Sequence, residues 1–297
     1  MIFYPCLWYE SEMKSKKLYR LAYSSCPNDT FIFKAMARQM IDLRGYEFDV
    51  VLEDVETLNQ NAKKGIYDIT KLSFAALGSL MDQYALLRTG SALGMGCGPL
   101  VISLPGRSMA DKKELVVAVP GMGTTACHLF RFYMEDVFPG KKFTLVPMPF
   151  ETVMPAVIEK NADFGVIIHE GRFVYPSLGL EMEADLGQWW EKKMKLPIPL
   201  GCIAVRRGMN PAIAMDIQEL IGQSIDHAVL HPAMAYDYIK IHAQELDEDV
   251  IHQHIRLYVN EFSRDIGKAG EEAVTVFFEK GRAAGFLPKT KQPLFAC

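Results

Sequence analysis

The residue best placed to do chemistry is His169, because it closes a short apolar run. Asp163-Phe164-Gly165-Val166-Ile167-Ile168-His169-Glu170-Gly171-Arg172 passes from a β-branched segment directly into an imidazole, a carboxylate, a glycine and a guanidinium. A run this short, with glycine and β-branched residues inside, suits a buried parallel strand better than a helix. Ligands of open α/β sheets gather outside the carboxyl ends of the strands. His169 would lie there, where an imidazole can exchange a proton with a substrate. Taken alone, a loop histidine satisfied by a neighbouring carbonyl is the commoner outcome, so the reading depends on what surrounds it.

Three other turns have the same placement. Thr70-Lys71-Leu72-Ser73 ends an expected strand with a cation and a hydroxyl; by itself it reads as a solvated lysine beside a capping serine. Gly121-Met122-Gly123-Thr124-Thr125-Ala126 lies between a strand and a helix. Its N–H groups and the positive helix end can receive an anion, or its threonines can simply cap. Ser24-Ser25-Cys26-Pro27-Asn28-Asp29-Thr30 is rich in side-chain donors and acceptors, and an ordinary capped turn competes with a ligand-binding reading. Cys26 is not read as a nucleophile, since no histidine stands near it in sequence and nothing signals a depressed thiol pKa. Together the turns describe a cleft with anion-receiving helix ends on two sides and one imidazole, suited to a small carboxylate ligand. The remaining histidines lack metal-ligand spacing, and His252 and His254, two apart, would point to different sides of a helix. No metal is expected.

The elements that must hold these turns follow from periodicity. Strands are expected at 18–24, 46–52, 68–72, 84–88, 100–104, 116–119, 143–147, 164–168 and 202–206, with helices at 30–41, 55–64, 74–81, 126–138 and 153–160 between them. The C-terminal third reads as helices at 213–230, 234–244, 249–259 and 273–284. Alternating strands and helices imply mainly parallel sheets flanked by helices. Two such units, joined by extended crossings near 100–104 and 202–206, form two lobes around a cleft. The expected division is an appendage at 1–16, a larger lobe of 17–103 plus 203–297, and a smaller lobe of 104–202, with the helical third packed back on the larger lobe. It could also supply the face of a homodimer.

Composition narrows the partners. With 49% hydrophobic and 23% charged residues, the chain has an ordinary globular balance. A net charge of −4 gives no reason to expect nucleic acid or an anionic membrane. Six scattered cysteines without a C-x-x-C pair suggest reduced thiols and a cytoplasmic location. The apolar start, Met1 to Tyr9, carries no basic residue and contains Pro5, unlike an export signal.

Longer passages make the reading specific. Cys26-Pro27-Asn28-Asp29-Thr30-Phe31-Ile32-Phe33, Leu52-Glu53-Asp54-Val55-Glu56-Thr57-Leu58-Asn59, Thr70-Lys71-Leu72-Ser73, Gly98-Pro99-Leu100-Val101, Thr124-Thr125-Ala126, Ile167-Ile168-His169-Glu170, Arg172-Phe173 and Tyr258-Val259-Asn260 occur in order. Over about 18–295 the chain resembles the 1,4-dihydroxy-6-naphthoate synthases of the futalosine route to menaquinone. The resemblance implies a two-lobed fold like the type II periplasmic binding proteins. It implies a cofactor-free carbon–carbon lyase that converts cyclic dehypoxanthine futalosine to 1,4-dihydroxy-6-naphthoate. It makes His169 the proton acceptor and Lys71, Leu72, Ser73, Thr124 and Thr125 the substrate-binding residues, with Asn28, Asp29, Glu170 and Arg172 as candidates for lining the cleft. Two positions depart from the pattern: Ser25, where relatives often have Pro, and Gly171, where a Ser is common. The alternatives are a non-catalytic solute-binding protein for small carboxylates and the sibling chorismate dehydratase.

Overall fold

A computed structural model describes residues 17–243 and 247–297. The expected appendage at 1–16, and Gln244 at the end of one expected helix, lie outside the described residues. The strands are β1 (Lys17–Ser24), β2 (Tyr46–Glu53), β3 (Ile69–Ser73), β4 (Tyr84–Leu86), β5 (Ala92–Gly94), β6 (Leu100–Ser103), β7 (Glu114–Val119), β8 (Lys142–Pro147), β9 (Phe164–Ile167), β10 (Glu181–Asp185) and β11 (Ile198–Arg206). They form two sheets, one ordered β2-β1-β3-β11-β4 with β5 also paired to β11, the other β10-β6-β9-β7-β8.

Each sheet contains a parallel block built by helical crossovers: β1 is parallel to β2 and β3, and β7 to β8 and β9. The strand that arrives from the other sheet lies antiparallel beside that block, β11 against β3 and β6 against β9. The two-lobed α/β architecture is therefore the expected one, with sheets that are mixed beyond their parallel blocks. The sheets divide slightly earlier than the expected boundaries at 103/104 and 202/203. Leu100–Ser103, fully buried, pairs with Phe164–Ile167 in the second sheet, while Ile198–Gly201 already pairs with β5 in the first. Pairing partners, which a local pattern does not reveal, set these limits.

The first helix, Pro27–Ala37, starts three residues before the expected Thr30. Pro27 suits the first helical position because its φ is preset and its missing N–H would have no partner there. Asp29 N and Thr30 N both donate to Cys26 O, so Asn28 and Asp29 lie in a buried first turn rather than in an exit loop. Glu181–Asp185, expected as irregular, is a strand, and Asp185 caps the helix Leu186–Met194.

The C-terminal helices do return to the first lobe. Pro211–Leu230, Pro232–His242 and Glu248–Tyr258 pack on Pro27–Ala37, and Gly267–Ala283 packs on β11 and on the helix Phe74–Ser79. Phe277 of Gly267–Ala283 also stacks near His128, Phe132 and Trp190 of the second lobe. One buried cluster, containing Phe74, Leu86, Val117, Phe130 and Phe277, therefore runs through both lobes. This continuity holds the strand ends of the two sheets toward one cavity.

Candidate active site between the two sheets

Strand alternation decides which part of β3 faces the cavity. Lys71 and Ser73 line it, with Thr124 and Thr125 of the second lobe and Asn28, Asp29 and His169. Leu72, expected among the substrate-binding residues, faces away into the shared core. Period two puts neighbouring side chains on opposite faces, so only its backbone belongs to this edge.

Lys71 is 5% exposed and Asp29 is fully buried, with Nζ 2.5 Å from Oδ1. Burying two charges is costly unless their remaining valences are filled. Here Asp29 also accepts from Asn28 Nδ2 at 2.8 Å, Ser24 Oγ at 2.6 Å and Ser24 N at 3.3 Å. Its place in the first turn of Pro27–Ala37 adds the favourable field of the helix N-terminus.

The hydroxyls of Ser73 and Thr125 tie the two lobes, and that of Thr124 caps its own helix, while all three residues line the cavity. Ser73 Oγ accepts from Ala76 N at 3.2 Å and donates to Gly123 O across the lobes at 2.8 Å. Thr124 Oγ1 accepts from Cys127 N at 3.2 Å and donates to Gly121 O at 2.8 Å. Thr125 Oγ1 accepts from Ala75 N at 3.2 Å and donates to Leu200 O at 2.9 Å. The approach is close enough to require glycine at 121: its φ is +122°, and a Cβ there would stand 2.6 Å from Glu56 Cδ.

His169 follows β9 in a turn with φ of +53°, a left-handed conformation that His tolerates better than most residues. Its ring lies edge-on to Phe150, with centroids 5.5 Å apart. Burial disfavours the imidazolium and lowers its pKa to about 4; Asp29 opposes this and Lys71 adds to it. The imidazole is thus neutral and able to accept a proton at neutral pH. Its Nδ1 lies 3.3 Å from Cys26 Sγ. Burial first, then Glu170, pushes the Cys26 thiol pKa up, so Cys26 stays protonated and is not a nucleophile. The sequence places these residues 143 apart, so the absence of a histidine near Cys26 in sequence did not exclude this contact.

Two expected cleft residues lie elsewhere. Arg172 lines no part of this cavity: its guanidinium donates to Gly98 O and to Gly96 O (3.1 Å for the latter) and lies 3.4 Å from Asp185. Five donors in a rigid fork suit that clamp on the crossing segment. Glu170 lines an adjoining cavity with Phe150, Met154 and Gly171. His254, which the sequence reading set aside, is fully buried with Nε2 2.9 Å from Asn28 Oδ1. Ile251, His254 and Tyr258 form the buried stripe of Glu248–Tyr258, and a histidine on an otherwise apolar i, i+3, i+7 stripe was the available signal.

The sequence pattern of the family described as menaquinone biosynthesis matches residues 19–283. The chain belongs to that family. As a member of the menaquinone-biosynthesis family it is 42% identical over 277 residues to the 1,4-dihydroxy-6-naphthoate synthase of Thermus thermophilus, covering 93% of this chain and 98% of the relative. Identity to the Streptomyces coelicolor enzyme of the same name is 40% over 269 residues, covering 91% and 94%. This menaquinone-biosynthesis protein is therefore an enzyme. A crystal structure of an Archaeoglobus fulgidus protein matches with a TM-score of 0.84 at 31% identity, covering 91% of this chain and 98% of that one. The periplasmic aliphatic sulphonate binding protein of Escherichia coli matches with a TM-score of 0.66 at 11% identity, covering 93% and 90%. The latter likeness shows the shared fold alone. Among the described residues of this family member, no helix is long and apolar enough to cross a membrane.

Proposed function

We propose that this menaquinone-biosynthesis enzyme is a 1,4-dihydroxy-6-naphthoate synthase, a carbon–carbon lyase acting on cyclic dehypoxanthine futalosine. The observation that carries the reading is the placement of His169 on the same cavity as the buried Lys71–Asp29 pair; burial, which disfavours the imidazolium, leaves its ring free to accept a proton. His169 removes a hydroxyl proton from the sugar-derived ring of the substrate. The O–H electron pair forms the new carbonyl as the neighbouring carbon–carbon bond breaks; the electrons of that bond pass to the carbonyl of the bicyclic portion, whose enolate takes back a proton from the His169 imidazolium as the ring aromatises. Lys71 supplies the positive charge that receives the substrate carboxylate, with Ser73, Thr124 and Thr125 shaping the adjoining wall. Removal of a positioned base costs a factor of roughly 10²–10⁴, so His169→Ala and His169→Asn should lose turnover while keeping the fold.

The test is incubation of the purified protein with cyclic dehypoxanthine futalosine, following the naphthoate by chromatography and mass spectrometry. Product from the parent but not from His169→Ala supports both reaction and base, and near-normal turnover by the variant removes His169 from the role. Binding without product would move the reading to a solute receptor. Neither binding nor product would exclude this substrate and make chorismate the next to try.

A further inference from the structure

A buried polar chain joins the C-terminal helix Glu248–Tyr258 to the cavity wall through a residue the reaction above does not use. His254 is fully buried, and its Nε2 lies 2.9 Å from Asn28 Oδ1. Asn28 in turn donates from Nδ2 to Asp29 Oδ1 at 2.8 Å. The same carboxylate oxygen holds Lys71 Nζ at 2.5 Å, while Ser24 occupies the other oxygen. An ionised carboxylate only accepts, so the Asn28 NH₂ must face Asp29 and its oxygen must face His254. That oxygen also only accepts, which puts the proton of a neutral His254 on Nε2. A flipped Asn28 amide would set its oxygen against the Asp29 carboxylate, and that repulsion fixes the orientation.

We propose that His254 is a positioning residue: its Nε2–H anchors the Asn28 amide in that orientation and, through it, fixes the place of the Asp29–Lys71 pair on the cavity wall. Among the described residues, the hydrogen bond at Nε2 is the one within reach of the ring; the other groups facing it pack on it or stand beyond hydrogen-bonding distance. Tyr258 packs on it with centroids 4.6 Å apart, His169 lies 6.0 Å away, and Glu170 Oε2 is 3.9 Å from Nδ1. Burial, with His169 and Lys71 nearby, disfavours a second proton on the ring, so the donor stays neutral and in place as pH changes. The link spans 226 residues of sequence and makes a C-terminal helix part of the cavity's electrostatics.

Two measurements test the proposal, one of them independent of the substrate. In a long-range ¹H–¹⁵N spectrum of the full ¹⁵N-histidine-labelled chain, the signal lost in His254→Gln should show the Nε2–H tautomer, unchanged between about pH 6 and about pH 8. A proton on Nδ1 would overturn the proposal. The kinetic test rests on the reading that Lys71 receives the substrate carboxylate. His254→Leu should raise KM about tenfold with a smaller fall in kcat, and His254→Gln, which restores an N–H donor, should recover KM to within about threefold. A folded His254→Leu with the parent KM would overturn it. If His254→Leu does not fold, Asn28→Ala, which removes the same link from its other end, should raise KM about tenfold, and a folded Asn28→Ala with the parent KM would overturn the proposal. If the parent makes no naphthoate, the proposed reaction fails, while the tautomer still decides the role of His254.

Discussion

The pH dependence of turnover gives the sharpest test of His169. Burial lowers its pKa from 6.5 to about 4, against the opposing charge of Asp29, a shift worth about 3 kcal/mol. At about pH 5.5 an imidazole titrating near 4 remains ~97% neutral, whereas one titrating near 6.5 would be only ~10% neutral. The two cases differ roughly tenfold in the fraction of enzyme able to accept a proton. The assay is kcat/KM against pH, which reports the free enzyme, with circular dichroism recorded at every point. We expect a flat profile from about pH 8 to about pH 5 and an acid limb near 4. Stability changes in the same window: below ~6.5 the unfolded chain binds a proton that the folded one refuses until about 4. The stabilisation is therefore complete above pH 6.5 and is lost as pH falls toward 4. His128, also buried and lowered to about 4, adds a loss of the same sign. A tenfold fall in kcat/KM between about pH 7.5 and about pH 5.5, with unchanged dichroism, would refute the reasoning, because it would mean that His169 titrates as a solvated imidazole.

Three further outcomes follow from local geometry. Gly171→Ser should be accepted, since its Cβ would meet Ile167 Cβ at 3.4 Å and Met154 Cε at 3.8 Å, ordinary contacts; thermal unfolding should show no loss and a gain of up to about 0.5 kcal/mol from the stiffer unfolded chain. Gly98→Ala should lose about 3 kcal/mol or more in urea denaturation, because its Cβ would stand 2.2 Å from the Gly187 Cα, a backbone atom that cannot rotate away. Arg172→Lys should lower the urea midpoint by the equivalent of about 1–3 kcal/mol, since a lysine cannot satisfy both the Gly96 and Gly98 carbonyls. Its acid limb should stay that of the parent, and a shift of that limb would return Arg172 to the cleft.

The sequence was most readable where one turn decides the outcome. Ser73 and Thr124 stand at helix starts in positions that any capping rule selects, and both do cap. Lys71 faces the cavity because a strand alternates. Reading ended where distant segments meet. Nothing local to Leu100–Ser103 says which sheet will pair with it, so the expected division fell a few residues late. Arg172 looked like a cleft cation because its neighbours are His169 and Glu170, yet the carbonyls it satisfies lie 74 and 76 residues earlier. Cys26 and His254 were set aside on sequence spacing, and each touches a residue of the cavity through a fold-dependent contact. A local explanation was also a weak reason to discount a residue. Ser73 and Thr125 satisfy helix-end groups and bond across the lobes with the same oxygens. Capping and site formation are thus one arrangement here: the hydroxyls that end the helices also hold the second lobe at the distance that brings His169 to the cavity wall carrying Lys71.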